Sequence, residues 1–229
     1  MTEAIAQAPD NFVWAALTGP QQTFGEFRGR AARYRPDFGL FAAVADWDDD
    51  LAWADLAALA GPGAFLGVAG REARTPRGWN VALRDETLQL AARRVDAYTH
   101  PEIVELGPAD KAEMLSLVDR AQPGPFADRT NELGTYLGIR RGGALVAMAG
   151  ERFRAAGWTE ISAVCTDPAY RRRGLAGALV RTLTARIHGR GDDAFLHVRE
   201  SNHGAIRLYQ ALGFVVESVP LFIGVTVPG

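Results

Sequence analysis

A chain of 229 residues with 48% hydrophobic side chains can bury one large core or two small ones, and its 25 basic and 27 acidic groups leave a formal charge of −2. That balance offers no general field for nucleic acid or an anionic membrane, so neither is expected as a partner. A single cysteine, Cys165, excludes an internal disulfide and a cysteine-rich metal site, and no stretch reaches the roughly 18 apolar residues of a membrane span, so a soluble, cytoplasmic protein without a metal is expected.

Residues 38–45 form a short apolar run that suits a strand. Asp48-Asp49-Asp50 then opens a helix over residues 51–60, in which Leu51, Leu56 and Leu59 recur at near-helical spacing. Gly61-Pro62-Gly63 ends it, residues 64–69 read as a buried strand, and a polar loop over 70–78 leads to a strand at 79–83. Around Tyr98-Thr99-His100-Pro101 the pattern restarts, with a strand at 103–106 and a helix at 111–121. A boundary placed there divides the chain into an α/β accessory part, 1–99, and a second part, 100–229. After a proline-rich link, residues 136–140 and 144–153 flank Arg141-Gly142-Gly143, the turn chemistry of a hairpin. A strand at 160–166, a helix at 174–188, a strand at 194–199, a helix at 202–212 and terminal strands near 214–217 and 221–227 complete a mixed α/β layout. The two parts can be read as distantly similar α/β units.

The chemistry concentrates in Glu160-Ile-Ser-Ala-Val164-Cys165-Thr166-Asp-Pro-Ala-Tyr-Arg171-Arg172-Arg173-Gly174-Leu175-Ala176-Gly177, which reads as strand, polar turn and glycine-containing helix entry. The first N–H groups of a helix have no intrahelical partner and sit at the positive end of its dipole, so they can hold a pyrophosphate. Gly174, Ala176 and Gly177 let the backbone come close, while Leu175, Leu179, Leu183 and Ile187 recur every fourth residue and anchor the helix on a sheet. The competing interpretation is an ordinary helix with glycines near its start and a solvated arginine run. Neither Gly-x-x-x-x-Gly-Lys nor Gly-x-Gly-x-x-Gly is present.

Arg171-x-x-Gly174-x-Ala176 resembles the Gln/Arg-x-x-Gly-x-Gly/Ala signature by which GNAT acetyltransferases bind the CoA pyrophosphate. Val164-Cys165-Thr166 resembles the family strand that pairs with the pantetheine arm. A second block, Asn202-His-Gly-Ala205-Ile-Arg-Leu208-Tyr209-Gln-Ala-Leu212-Gly213-Phe214, is similar to the family's Asn-x-x-Ala-x-x-Leu-Tyr-x-x-x-Gly-Phe segment. The resemblance covers about 103–227. It implies a mixed, splayed central sheet flanked by helices, with the first part open to being a degenerate copy. It further implies acetyl-CoA as co-substrate, a small-molecule or peptide amine as acceptor, a pantetheine contact at Asn202 and a general acid at Tyr209. The rival for Tyr209 is an aromatic side chain packed beside Leu208 and Leu212.

An amine must lose a proton to attack a thioester, and Glu160 is the candidate base. The strand period of two puts Glu160, Ser162, Val164 and Thr166 on one face, and some family members carry a glutamate at the matching strand start. The rival there is a solvated strand-end acid. Backbone N–H groups near Val164 are expected to polarise the thioester carbonyl. His197 reads as a half-buried histidine bonded to backbone, and Cys165 as a small buried hydrophobe. Trp14, Phe24, Phe27, Trp47, Trp53 and Trp79 are read as core or interdomain packing ahead of an acceptor pocket. Acyl-CoAs other than acetyl-CoA, a glycine-like acceptor, a CoA-sensing module without turnover and a homodimer all stay open.

Overall fold

The computed structural model describes residues 8–70, 73–96, 98 and 100–229. The first part contains α1 (Phe12–Leu17), β1 (Gly25–Arg28), β2 (Ala31–Tyr34), β3 (Ala42–Val44), α2 (Asp50–Ala60), β4 (Phe65–Gly70) and β5 (Asn80–Ala92). The second contains β6 (Ile103–Leu106), α3 (Lys111–Ala121), β7 (Tyr136–Arg141), β8 (Ala144–Ala155), β9 (Trp158–Thr166), α4 (Leu175–Gly189), β10 (Asp193–Arg199), α5 (His203–Ala211), β11 (Phe214–Ser218) and β12 (Leu221–Thr226).

Local chemistry accounts for most boundaries. Asp49 caps α2, its carboxylate accepting the Leu51 N–H at 3.0 Å, and Gly61 ends that helix at φ +83°. The β7–β8 hairpin turns on Gly142 and Gly143 at φ +57° and +86°, a pair of left-handed residues that matches strand twist. The buried face of α4 carries Leu175, Leu179, Leu183 and Ile187, the four-residue repeat expected of it.

One sheet of nine strands runs in the order β4-β12-β5-β10-β9-β8-β7-β6, with β11 also on β5, and a small sheet β1-β2-β3 stands beside it. Helices α4 and α5 cover one face over Leu137, Ile161, Leu196 and Val198. The other face carries α1 and the small sheet, where Phe12, Tyr34 and Phe41 meet Phe153, Trp158 and Phe195. Gln21, 2% exposed, stitches this contact: its amide donates to the Leu133 and Arg152 carbonyls, and its oxygen accepts from the Tyr34 hydroxyl and the Arg154 N–H. Among the described residues no helix is long and apolar enough to cross a membrane.

The boundary expected at 99/100 does not separate two sheets. Strand β5 pairs with β10 through Thr87 to Ala91 on one edge, and with β12 and β11 in succession on the other. Conversely, β12 lies between β4 and β5. Each part follows the same path: a strand, a crossover helix, a strand parallel to the first, then a neighbour from the other part. In the first part Phe41, just before β3, makes a single parallel bridge to Gly67 of β4 on the other side of α2, and β12 flanks β4. In the second, β9 and β10 are parallel around α4, and β5 flanks β10. The two parts thus exchange their last strands. Expected at 79–83, β5 is far longer because its exposed, charged first half, with Arg84, Asp85 and Glu86, lies beyond the core, and only Gln89 to Ala92 are buried.

Candidate active site

Strands β9 and β10 pair only from Asp193↔Trp158 to Phe195↔Glu160 and then diverge. The fork between their C-terminal halves is a slot in the sheet, bordered on β9 by half-buried Ser162, Ala163 and Val164. Met148 faces Cys165 and Gly150 faces Ser162, so Ala163 and Val164 together oppose Ala149. This is a β-bulge, and Ala163 takes φ +51° to make it. A bulge leaves a backbone group of β9 outside its ladder with β8. Cys165, by contrast, is 6% exposed, and burial pushes its thiol up to about 12. Thr166 pairs with Ala147.

From β9 the chain turns through Pro168–Tyr170, where the Asp167 carboxylate accepts the Ala169 N–H at 3.0 Å and the Arg120 guanidinium at 2.9 Å. Arg171, Arg172 and Arg173 follow, all exposed. Arg171 Nε donates to the Thr166 carbonyl at 3.3 Å, Arg172 lies at φ +61°, and Arg173 stacks 5.1 Å above the Tyr170 ring. Gly174 then enters α4 in the left-handed conformation, φ +77° and ψ 0°, with no side chain capping the helix. A Cβ added at Gly174 would meet nothing within 4 Å. The helix start is therefore uncapped, open and flanked by three guanidinium groups, a cradle that suits a pyrophosphate. Leu175 buries its side chain in the core and offers only its N–H, and Ala176 is half-buried. A Cβ added at Gly177 would stand 3.6 Å from Leu208 and 3.7 Å from Leu212, ordinary packing distances, so this position lies at the contact between α4 and α5 without demanding a glycine.

Asn202 caps α5, its Oδ1 accepting the Ala205 N–H at 3.1 Å, so that oxygen is committed to the helix. Tyr209 is 7% exposed and tilted on Phe214 at 6.0 Å between ring centroids. Burial raises its phenol to about 12, so it holds its proton at neutral pH.

Glu160, expected as the base, has a different setting. Its side chain is 1% exposed, with Oε2 accepting from Arg152 Nε at 2.8 Å and Oε1 from Arg152 Nη2 at 2.9 Å. His197 Nδ1 lies 2.7 Å from Oε1. Burial alone would push this carboxyl up, but the Arg152 charge and the bonds from His197 and Arg152 outweigh it and hold the pKa at about 2. A carboxylate clamped in this way is a poor proton acceptor near neutral pH. His197 is correspondingly bonded to a side chain, not to backbone. Arg152 and His197 carried no motif. The available signal was an arginine inside the buried run of β8 and a histidine alternating with Phe195, each one strand away from a buried acid. Of the aromatic residues, Trp47, Trp53 and Trp79 pack with the α2 core, Trp14 and Phe24 pack beside Phe12 and Phe38, and Phe27 is exposed. Among the described residues no group of three or more His, Cys, Asp or Glu side chains could hold a metal ion.

The family model described as FR47-like protein matches residues 136–223, the segment holding the fork, the α4 entry and α5. The N-alpha-acetyltransferase RimI of Mycobacterium tuberculosis is 37% identical over 101 residues, which are 40% of this chain and 61% of that relative, so the match spans less than two thirds of its length. A protein from Novosphingobium aromaticivorans, assigned to the GNAT family of acetyltransferases, superposes with a TM-score of 0.89 at 37% identity, over 98% of this chain and 100% of that one. A GCN5-related N-acetyltransferase from Kribbella flavida has the same fold, with a TM-score of 0.64 at 19% identity over 99% and 97% of the two chains.

Proposed function

Since the chain belongs to the GNAT family of acetyltransferases, we propose that it transfers the acetyl group of acetyl-CoA directly to an amine in a ternary complex. The observation that carries this reading is the uncapped start of α4 at Gly174, one turn of chain from the open fork between β9 and β10. Backbone N–H groups of Leu175, Ala176 and Gly177, with Arg171, Arg172 and Arg173 around them, would hold the pyrophosphate. The edges at Val164, Cys165 and Thr166 would pair with the pantetheine, and the bulge at Ala163 and Val164 would supply a fixed donor to the thioester oxygen. Tyr209, protonated at neutral pH, is the acid for the departing thiolate. The N–H groups and dipoles are built into the fold, so the charge that develops on oxygen meets donors that need no rearrangement.

The acceptor is a small-molecule or peptide amine, and the reaction belongs in the cytoplasm, where the thioester and reduced thiols occur together. Thermal unfolding with and without acetyl-CoA tests cofactor use: the parent gains stability in proportion to occupancy, and Gly174→Glu, which places a carboxylate in the cradle, does not. Thiol release measured across a panel of alkylamines, amino acid amides and short peptides then tests transfer. Binding without thiol release from any amine would assign the chain to CoA sensing, and faster turnover of propionyl- or benzoyl-CoA would move it to longer acyl groups.

A further inference from the structure

Building on the acetyl-transfer reading, we propose that His197 is the catalytic base that takes the proton of the attacking amine, and that Glu160 and Arg152 are positioning residues for its ring. His197 lies two residues beyond Phe195↔Glu160, the last pair before β9 and β10 part, so it stands at the crotch of the fork on the face of Phe195. Its ring is held between Phe12 and Phe195, with centroids at 4.3 and 5.5 Å. Both Glu160 oxygens are engaged by Arg152, and Oε1 also meets His197 Nδ1 at 2.7 Å. An ionised carboxylate only accepts, so Nδ1 carries the proton of that bond, and the ring atom where a further proton is exchanged is Nε2. Nε2 is buried and has no hydrogen-bond partner among the described residues. A polar atom left in that state has lost its water without replacement, a penalty that an amine N–H reaching it would relieve.

The groups around the ring agree with this role. Glu160 reaches it from β9 and Arg152 stands behind Glu160 on β8, one negative and one positive charge that balance. Tyr34 on β2 and Tyr136 on β7 are neutral phenols raised above their ordinary range by burial, and both sense the Glu160–Arg152 pair. Gln89 on β5 is the ladder partner of His197, and its Nε2 is likewise buried without a partner among the described residues. An imidazole held through Nδ1 by a carboxylate that an arginine also engages is the arrangement of an oriented general base. In the step itself, the amine nitrogen bonds to the carbonyl carbon while its proton passes to Nε2. The C–S bond then breaks, the sulfur takes the Tyr209 proton, and the imidazolium proton returns through solvent to the phenolate.

Two measurements decide the matter. Long-range proton–nitrogen spectra of protein labelled with ¹⁵N-histidine, with CoA present, report the tautomer of each of the four histidines, and His197→Gln identifies the signal that matters. A ring protonated on Nδ1 with a bare Nε2 is expected, and a proton on Nε2 would overturn the assignment. In steady state, using the best amine of the panel, His197→Gln loses roughly 10²–10⁴-fold in kcat, while its thermal shift with acetyl-CoA stays at the parent value. Glu160→Gln, which still accepts from Nδ1, keeps more activity and displaces the acidic limb of the pH–rate profile, a change that a purely structural residue would not produce. Parent turnover that survives in His197→Gln within threefold refutes this proposal alone. Absence of turnover by the parent refutes the transfer reading and this proposal with it.

Discussion

Arg152→Met removes the cation that holds Glu160 in the sheet, and the size of the effect follows from the geometry. The carboxylate is 1% exposed and bonded by two guanidinium nitrogens at 2.8 and 2.9 Å. Its pKa of about 2 against an ordinary 4.5 corresponds to about 3 kcal/mol of preference for the charged form in the fold, at roughly 1.36 kcal/mol per unit. Because the folded pKa is the lower one, this stabilisation is fully present above about pH 4.5 and is lost as pH falls through about 2. Breaking a buried pair from one side typically costs about 3–5 kcal/mol, in line with that figure. For a chain of this length about 3 kcal/mol lowers the melting temperature by roughly 6–12 °C. Urea and thermal melts of Arg152→Met, Glu160→Gln and the double variant at pH 7 give the coupling, expected at about 2 kcal/mol or more, with the double variant more stable than the sum of the singles predicts. Additive losses, or an Arg152→Met protein within about 1 kcal/mol of the parent, would refute the picture of a closed, mutually neutralising pair.

Gly174→Ala, forced to hold φ +77° with a Cβ, is expected to lose about 1–2 kcal/mol of stability and to weaken acetyl-CoA binding, whereas Gly174→Asn, which tolerates that conformation, loses less; calorimetric titration with acetyl-CoA measures both. Tyr209→Phe keeps the packing on Phe214 and so keeps the melting temperature, but lowers kcat by tenfold or more, on the low side of the roughly 10²–10⁴-fold of an acid, with KM for acetyl-CoA unchanged. Cys165, whose thiol is pushed up to about 12 by burial, stays unmodified by an aromatic disulfide reagent in the native protein and reacts fully once unfolded, as absorbance at neutral pH will show. Residues 8–96 and 100–229 produced separately are each expected to be poorly folded, and mixing them restores the circular dichroism of the whole chain, because β5 needs β10 and β12 needs β4.

The second half was readable from sequence because its elements are local and amphipathic. The glycine turn at 142–143, the four-residue repeat of α4 and the cap at Asn202 each announce themselves over a few residues. The first half was less so. Helix α1 spans only six residues, β1 and β2 only four each, and tertiary contacts hold them rather than their own periodicity: Phe12 and Tyr34 pack on Phe153 of β8, and β1 pairs with β2. The cradle at Arg171 to Gly177 was legible as a backbone motif. The Glu160–Arg152–His197 group was not, because it depends on three strands meeting in one register, and a lone histidine or arginine within an apolar run gives no sign of what lies opposite. Reading Glu160 by its position on β9 expected a base there and missed the cation that clamps it.

The traded strands β5 and β12 have the topology of a swapped homodimer whose two subunits have been joined end to end. In a true swapped dimer the exchange is bimolecular and fades on dilution. Here tethering makes it unimolecular, so the completed sheet persists at any protein concentration. The arrangement also separates two kinds of constraint on the first half. That half holds none of the helix entry at Arg171 to Gly177, yet it supplies the strand that borders His197. Neither part can be removed without leaving the other with an open sheet edge.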